Sequence, residues 1–261
     1  MTVEHLYYIF LFAFGSAVGS FLNVCIHRLP KNESIINPPS HCPKCNKRIA
    51  WYDNIPLVSY ILLGAKCRNC KSRISFRYFM VELLTASLFM TLYWRFGFNP
   101  TYLGMAILCC GLLVATFVDF EYQIIPDEIS IGGIISGLIF AVVYPRLLGE
   151  TSHIAGGLKS LLGIVAGGGS IYITGLLGSM AFKKEAMGGG DVKLMAAIGA
   201  FLGWEMALLT FFLAPISGAI VGLISKIKFK QNVIPYGPFL SLSAVACIFW
   251  GRDILRYILM R

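Results

Sequence analysis

The chain has 261 residues, of which 57% are hydrophobic and 13% charged, against roughly 25% charged in an ordinary soluble domain. A water-soluble globule is excluded, and most of the apolar surface must face lipid. The net charge of +9 is unevenly placed, because His27 to Arg77 holds 10 of the 22 bases and 2 of the 13 acids. A basic stretch between two apolar runs marks a loop retained in the cytoplasm, so the lipid bilayer is an expected partner and nucleic acid is not.

The first apolar run, about residues 5 to 26, opens with Glu4 instead of a basic segment and ends in Asn23, His27 and Arg28 without a small-residue cleavage site. It reads as a membrane helix and not as a removed signal. The expected organisation is a first transmembrane helix over 1–26, a cytoplasmic basic loop over 27–77 and a membrane domain over 78–261. Within the loop, Cys42-Pro43-Lys44-Cys45 and Cys67-Arg68-Asn69-Cys70 repeat a C-x2-C pair across 21 intervening residues. Two such pairs facing each other supply the closed tetrahedral sulfur site that Zn(II) prefers. Four thiolate ligands leave no open coordination position, so the ion would be structural. A redox pair and four reduced free thiols are the alternatives. Lys44, Lys47, Arg48, Lys66, Arg68 and Lys71 would offset the thiolate charge or form a solvated face. Cys25, Cys109, Cys110 and Cys247 lie in apolar runs, where a thiol is a small hydrophobe.

Further apolar runs span about 78 to 97, 101 to 119, 129 to 149 and 155 to 182, each near the length of a bilayer crossing. Glu82, early in the second, is a buried structural acid or part of a site; Glu4, Glu150 and Glu205 are read as solvated. The stretch from Val192 to Ser225 is one long helix or two shorter ones broken at Gly203-Trp204-Glu205. Lys183, Lys184 and Lys193 before it and Lys226, Lys228 and Lys230 after it favour two crossings. A last run over about 234 to 250 gives an all-α polytopic membrane protein of about eight transmembrane helices with a cytoplasmic zinc-binding loop of four cysteines; Arg252, Arg256 and Arg261 on the outer tail dissent from that topology. Gly156-Gly157 and Gly167-Gly168-Gly169 read as close-packing positions.

Two acids stand apart. Asp119 ends the third run, just before Pro126 breaks the chain, and Asp191 follows Gly188-Gly189-Gly190 and precedes Val192 and Lys193. Both fall at the cytoplasmic boundary and can meet if the third and sixth spans are neighbours. The glycines offer conformations closed to other residues and let an extended substrate backbone approach. Two carboxyl groups sharing a site divide into an acid and a base, as in aspartic proteases. The plain alternative is that Asp191 caps one helix and Asp119 ends another. If the two do pair, the ends of their own helices place the shared proton on Asp119, because a C-terminus disfavours negative charge and an N-terminus favours it. A transporter and a membrane anchor presenting a zinc module are the rival readings.

At these residues the sequence resembles the type IV prepilin peptidases, GxGD-type intramembrane aspartic proteases. The likeness runs through Gly19-Ser20-Phe21-Leu22-Asn23-Val24 with Arg28, both CxxC pairs, Asn54-Ile55-Pro56, Arg77-Tyr78 followed by Glu82-Leu83-Leu84-Thr85, Asp119 with Ile125-Pro126-Asp127, Gly188 to Leu194, and Ile234-Pro235-Tyr236-Gly237-Pro238. Phe79 stands where family members often carry Pro. The resemblance implies a bifunctional enzyme of the bacterial inner membrane, with its active site at the cytoplasmic face. It would cut the short basic leader from prepilin or pseudopilin precursors, commonly between Gly and Phe, and methylate the new N-terminus with S-adenosylmethionine. It further implies Asp119 and Asp191 as catalytic residues, with Gly188, Gly189, Gly190, Lys193 and Asp127 shaping the site. The zinc-type insert is one that some members lack, so the cleavage chemistry should not need it. No Rossmann glycine pattern follows a strand, so the residues that bind the methyl donor stay unassigned; the basic loop and Gly19 to Arg28 are walls of that pocket or packing surfaces.

Overall fold

The computed structural model describes residues 3–183, 187–229 and 235–259. Lys184, Lys230, Ile234 and Arg261, invoked above for sidedness and motif, lie outside the described residues. Among the described residues all regular structure is helical, with nine α-helices and two isolated β-bridges. The chain forms two compact units, Met1–Gly97 and Phe98–Arg261.

In the first unit, α1 (Val3–Arg28) carries Glu4 in its first turn and His27 and Arg28 in its last, matching the helix dipole at both ends. It packs along α3 (Phe76–Phe96), whose N-terminus is capped by the Ser75 side chain accepting from the Arg77 N–H. Gly15 and Gly19, four residues apart and so on one face, set the approach. A Cβ on Gly15 would lie 2.9 Å from Ala86 Cα, and one on Gly19 2.7 Å from Glu82 Cα. Glu82 is a buried acid whose Oε2 accepts the Leu57 N–H at 2.7 Å. Leu57 precedes the short α2 (Val58–Leu62) at φ +61, an uncommon conformation for a branched side chain. Arg28 is likewise buried and donates to the carbonyls of Ser34 at 2.8 Å and Pro38 at 2.6 Å.

In the second unit, α4 (Pro100–Tyr122) starts at an Asn99 cap with Pro100 in its first turn, where a missing N–H costs nothing. It ends at Gln123, which adopts φ +55. After Pro126 come α5 (Asp127–Val143), α6 (His153–Phe182), α7 (Gly189–Leu202), α8 (Trp204–Phe229) and α9 (Gly237–Leu259). The expected fourth run stops at Val143, and Pro145 opens a separate 3-10 turn, because proline cannot donate to a continuing helix. The long stretch from Val192 breaks at Gly203, whose φ of +80 turns the chain between α7 and α8. The last helix runs past Trp250 and carries Arg252, Asp253 and Arg256 within it.

The core of this unit is α7. Leu194 through Phe201 are all buried, so the helix is enclosed on every side. Its neighbours α5 and α6 reach it through small residues. A Cβ on Gly133 would lie 2.9 Å from Ala197 Cβ and one on Gly137 2.7 Å from Ala200 Cβ, while Gly163 meets the Gly199 backbone and Gly167 the Met195 carbonyl directly. Ser160 of α6 also donates to the Ala200 carbonyl at 2.9 Å. Gly156, Gly167 and Gly168 thus serve close packing, whereas Gly169 has no neighbour within 4 Å. Glu150, read as solvated, stays partly exposed and also pairs with Lys159 at 3.1 Å, because the first turns of α6 bring that lysine back over the 149–152 turn.

A helix stands at the place of each of the eight expected spans. Four segments are long and apolar enough to cross a bilayer by length and composition: Glu4–Lys31, Pro100–Tyr122, His153–Ala181 and Gly237–Ile258. Trp204–Ile220 is a shorter apolar helix, and α3 spans 21 residues but carries Arg77, Glu82 and Arg95.

Candidate active site and metal centre

The two CxxC pairs fold into matching turns. In the first, the Cys42 N–H donates to the Lys47 carbonyl, the Asn46 N–H to the Cys42 carbonyl, and His41 bridges Arg48. In the second, Cys67, Ser72, Lys71, Lys66 and Arg73 repeat those roles at the same offsets. Asn46 and Lys71, four residues past the first cysteine of each pair, share a left-handed φ of +54 and +57. The four sulfurs lie within 4.8 Å of one another, and Cys42 Sγ to Cys70 Sγ is 3.8 Å. A tetrahedron with metal–sulfur bonds of about 2.3 Å has edges of about 3.8 Å, so the donor set and its spacing fit a zinc ion.

Electrostatics point the same way. Burial opposes ionisation of Cys42, but the N–H groups of Cys45 and Lys44 and contacts from Ser72 and Cys67 hold its thiol down at about 6. Cys45, despite a favourable Lys47 N–H, is pushed up to about 11 by burial and the three sulfurs around it. Four thiols so close cannot all ionise at neutral pH without a cation among them. Of the bases expected to offset them, Arg68 is engaged elsewhere: it forms a two-pronged ion pair with Asp53 at 2.7 and 2.6 Å and lies over the Tyr52 ring. That pair holds the Asp53 carboxyl below the usual range.

In the second unit the two singled-out acids do come together. Asp119 sits in the last turn of α4 and is 6% exposed; Asp191 sits half-buried in the first turn of α7. The two carboxylates lie within electrostatic reach of each other. The preceding glycines divide the work. Gly188 borders the Asp191 carboxylate, where a Cβ would lie 3.4 Å from Oδ2, and its backbone N–H acts on that carboxylate electrostatically. Gly190 lies under Ile125, where a Cβ on the glycine would stand 3.1 Å from the Ile125 Cβ, so the segment before α5 packs onto the turn. Gly189 faces open space. None of the three has a positive φ, which corrects the expectation of conformations closed to other residues: the turn enters α7 by ordinary extended backbone at Gly188, and of the three only Gly190, against Ile125, is short of room for a side chain. Asp127, in the exposed first turn of α5, pairs with Lys193 of α7 at 2.7 Å and thereby ties the helix that follows the Asp119-bearing α4 to the helix that carries Asp191.

One partner went unrecognised in the sequence. The Gly237 N–H, at the head of α9, donates to Asp119 Oδ2 at 2.9 Å in a buried contact. A Cβ on Gly237 would stand 2.8 Å from that oxygen. Tyr236 beside it interacts electrostatically with Asp191, so one short segment serves both carboxylates. Its only signal in the sequence is Pro235-Tyr236-Gly237-Pro238 opening the last apolar run.

Residues 13–96 match the Bacterial Peptidase A24 N-terminal domain, and residues 106–223 match the Type IV leader peptidase family. A prepilin leader peptidase/N-methyltransferase of Pseudomonas aeruginosa is 35% identical over 93% of this chain and 90% of its own length. The chain belongs to the type IV prepilin leader peptidase family. A relative of the same description from Aeromonas hydrophila is 33% identical over 97% of this chain and 94% of its own. One from Myxococcus xanthus is 39% identical over 84% of this chain, and the chain spans 63% of that relative's length. No solved structure matches the chain. The two matched segments of this peptidase-family chain fall one in each compact unit.

Proposed function

We propose that Asp119 and Asp191 are the catalytic pair of a prepilin leader peptidase/N-methyltransferase, and that Gly188, Gly189, Gly190, Lys193 and Asp127 shape its cleft. The chain is a bifunctional enzyme of this family; the assignment of residues is inferred. What carries it is the meeting of two acids, one buried and one half-buried, at the facing ends of α4 and α7. Neither acid is matched there by a base among the hydrogen bonds and ion pairs described.

One carboxylate takes a proton from water as the water oxygen attacks the scissile carbonyl, and the other, protonated, hydrogen-bonds the developing oxyanion. On collapse the abstracted proton passes to the leaving amine. Gly189, with open space beside it, lets an extended substrate backbone come near. A prepilin or pseudopilin has a basic leader followed by an apolar helix, so its scissile bond lies at the cytoplasmic edge of the inner membrane, where this reading puts the pair. The same reading has about eight helices crossing that membrane, with 1–26 as the first, 27–77 as a cytoplasmic loop and 78–261 as the membrane domain. Cys42, Cys45, Cys67 and Cys70 would hold a structural zinc ion. S-adenosylmethionine would supply the methyl group, with no residue assigned to bind it.

Mass spectrometry of a prepilin peptide incubated with detergent-purified enzyme and S-adenosylmethionine tests this. The expected product lacks the leader and carries one added methyl group, and Asp119→Asn and Asp191→Asn leave the peptide intact. Cleavage at the parent rate by either variant would sink the assignment.

A further inference from the structure

We infer that Gly237 is a positioning residue for the peptidase reaction: its backbone N–H holds Asp119 Oδ2 and keeps Asp119 as the ionised member of the pair, so that Asp119 is the base and Asp191 carries the proton. The inference rests on the reading of Asp119 and Asp191 as the peptidase pair. Gly237 is the first residue of α9, so its N–H has no partner within the helix. Pro238, next in line, has no N–H at all. The first turn of a 23-residue helix therefore presents the Gly237 donor to a carboxylate 2.9 Å away, with donor and acceptor both buried.

A side chain at this position would crowd the carboxylate. A Cβ at position 237 would lie 2.8 Å from Asp119 Oδ2, 3.3 Å from its Cγ and 3.4 Å from its Cβ. The hydrogen bond fixes one carboxylate oxygen and leaves Oδ1 for the water. Viewed from their own helices alone, Asp119 is at a C-terminus and Asp191 at an N-terminus, which would put the proton on Asp119. The head of α9 reverses that, because a hydrogen bond donated to the charged form favours that form. Other groups do not restore the balance: α7 brings Asp191 itself, which has the Gly188 N–H near it but no hydrogen bond to its carboxylate among those described, and Tyr236 ahead of α9 interacts electrostatically with Asp191. The acids of α5, Asp127 and Glu128, are exposed, with Asp127 paired to Lys193, and on α4 Glu121 and Tyr122 are exposed. In the reaction the proton of water goes to Asp119 Oδ1 as the carbon–oxygen bond forms, and the Asp191 proton goes to the carbonyl oxygen. When the carbon–nitrogen bond breaks, the proton on Asp119 leaves with the amine and the carbonyl returns its proton to Asp191.

The test replaces Gly237 in the full-length enzyme by glycolic acid through nonsense suppression, which turns the N–H into an ester oxygen and adds no atom. The pH profile of kcat/KM for prepilin-peptide cleavage is then compared with the parent. The acid limb is expected to move up by about one pH unit, the equivalent of a tenfold change in proton affinity, with the rate recovering at higher pH. Displacement of the alkaline limb alone would show that Asp119 carries the proton, and two unmoved limbs would remove any role for the N–H; either overturns the inference. A second variant, Gly237→Ala, keeps the N–H but crowds the carboxylate. It should lower kcat about 100-fold, as misplacement near 1 Å can, with little change in KM, and a parental kcat would contradict positioning. Asp119→Asn and Asp191→Asn run in parallel. If either cleaves at the parent rate, the pair itself is misassigned; if both are inactive while the ester profile is unmoved, only the role of Gly237 falls.

Discussion

Glu82 and Asp119 are buried acids on apolar helices, and what separates them is what each touches. The Glu82 carboxylate accepts the N–H of Leu57, a residue at φ +61 and ψ −50, and Gly19 is packed against its Cα. It is therefore a clamp on the corner that follows Asn54-Ile55-Pro56. Glu82→Ala would leave a buried N–H without an acceptor and should cost about 1–3 kcal/mol of stability, whereas Glu82→Gln keeps an acceptor and should cost less. Thermal unfolding in detergent checks this, and equal stability of the two variants would argue against the clamp. Asp119 accepts from a donor and lies within electrostatic reach of a second carboxylate. A hydrogen bond to a charged group contributes about 1.5–3 kcal/mol, against about 0.3–1 kcal/mol for a charge near an exposed helix end and up to about 2 kcal/mol near a partly buried one. That difference is why the expectation from helix ends alone does not settle the proton at Asp119: it counted the helices bearing the acids and not the third helix whose head reaches one of them.

At the scale of elements, two devices set the geometry. The first is the enclosed helix α7, which brings Asp191 to its place because Gly133, Gly137, Gly163 and Gly167 on its neighbours have no side chains to hold them off. Close packing of this kind was legible as glycines in apolar runs, although which helix they surround was not. The second is the pair of CxxC turns, whose spacing was legible and whose matching left-handed residues, Asn46 and Lys71, were not. The enzyme should be purified with one zinc ion per four-cysteine cluster, measured by atomic emission. Cys67→Ser should reduce the metal to background and lower the melting temperature, while the cleavage rate per folded molecule stays near the parent's. Absence of zinc from the parent, or a disulfide between pairs in the mass of the unreduced protein, would contradict the structural metal site.

Across the whole molecule, composition and hydrophobic runs made the helices legible, since each expected span has one. Their ends were less so: Pro145 cuts the fourth run short and α9 outlasts the expected end near Trp250 because Arg252, Asp253 and Arg256 continue a helix that hydropathy alone would stop. The two acids were legible because ionisable groups at apolar boundaries are costly. Gly237 was not, because a backbone donor leaves no chemical mark in a sequence; only the fold places it against an acid 118 positions away. The central claim is that Asp119 and Asp191 act as one catalytic unit. Its most direct test is the leader-cleavage rate of Asp119→Asn, Asp191→Asn and the double variant on one prepilin peptide. Residues that work as a unit are strongly non-additive, so each single variant should fall by at least about 1,000-fold and the double should fall no further. Losses that multiply in the double variant, or a single variant that retains most of the parent rate, would contradict the account.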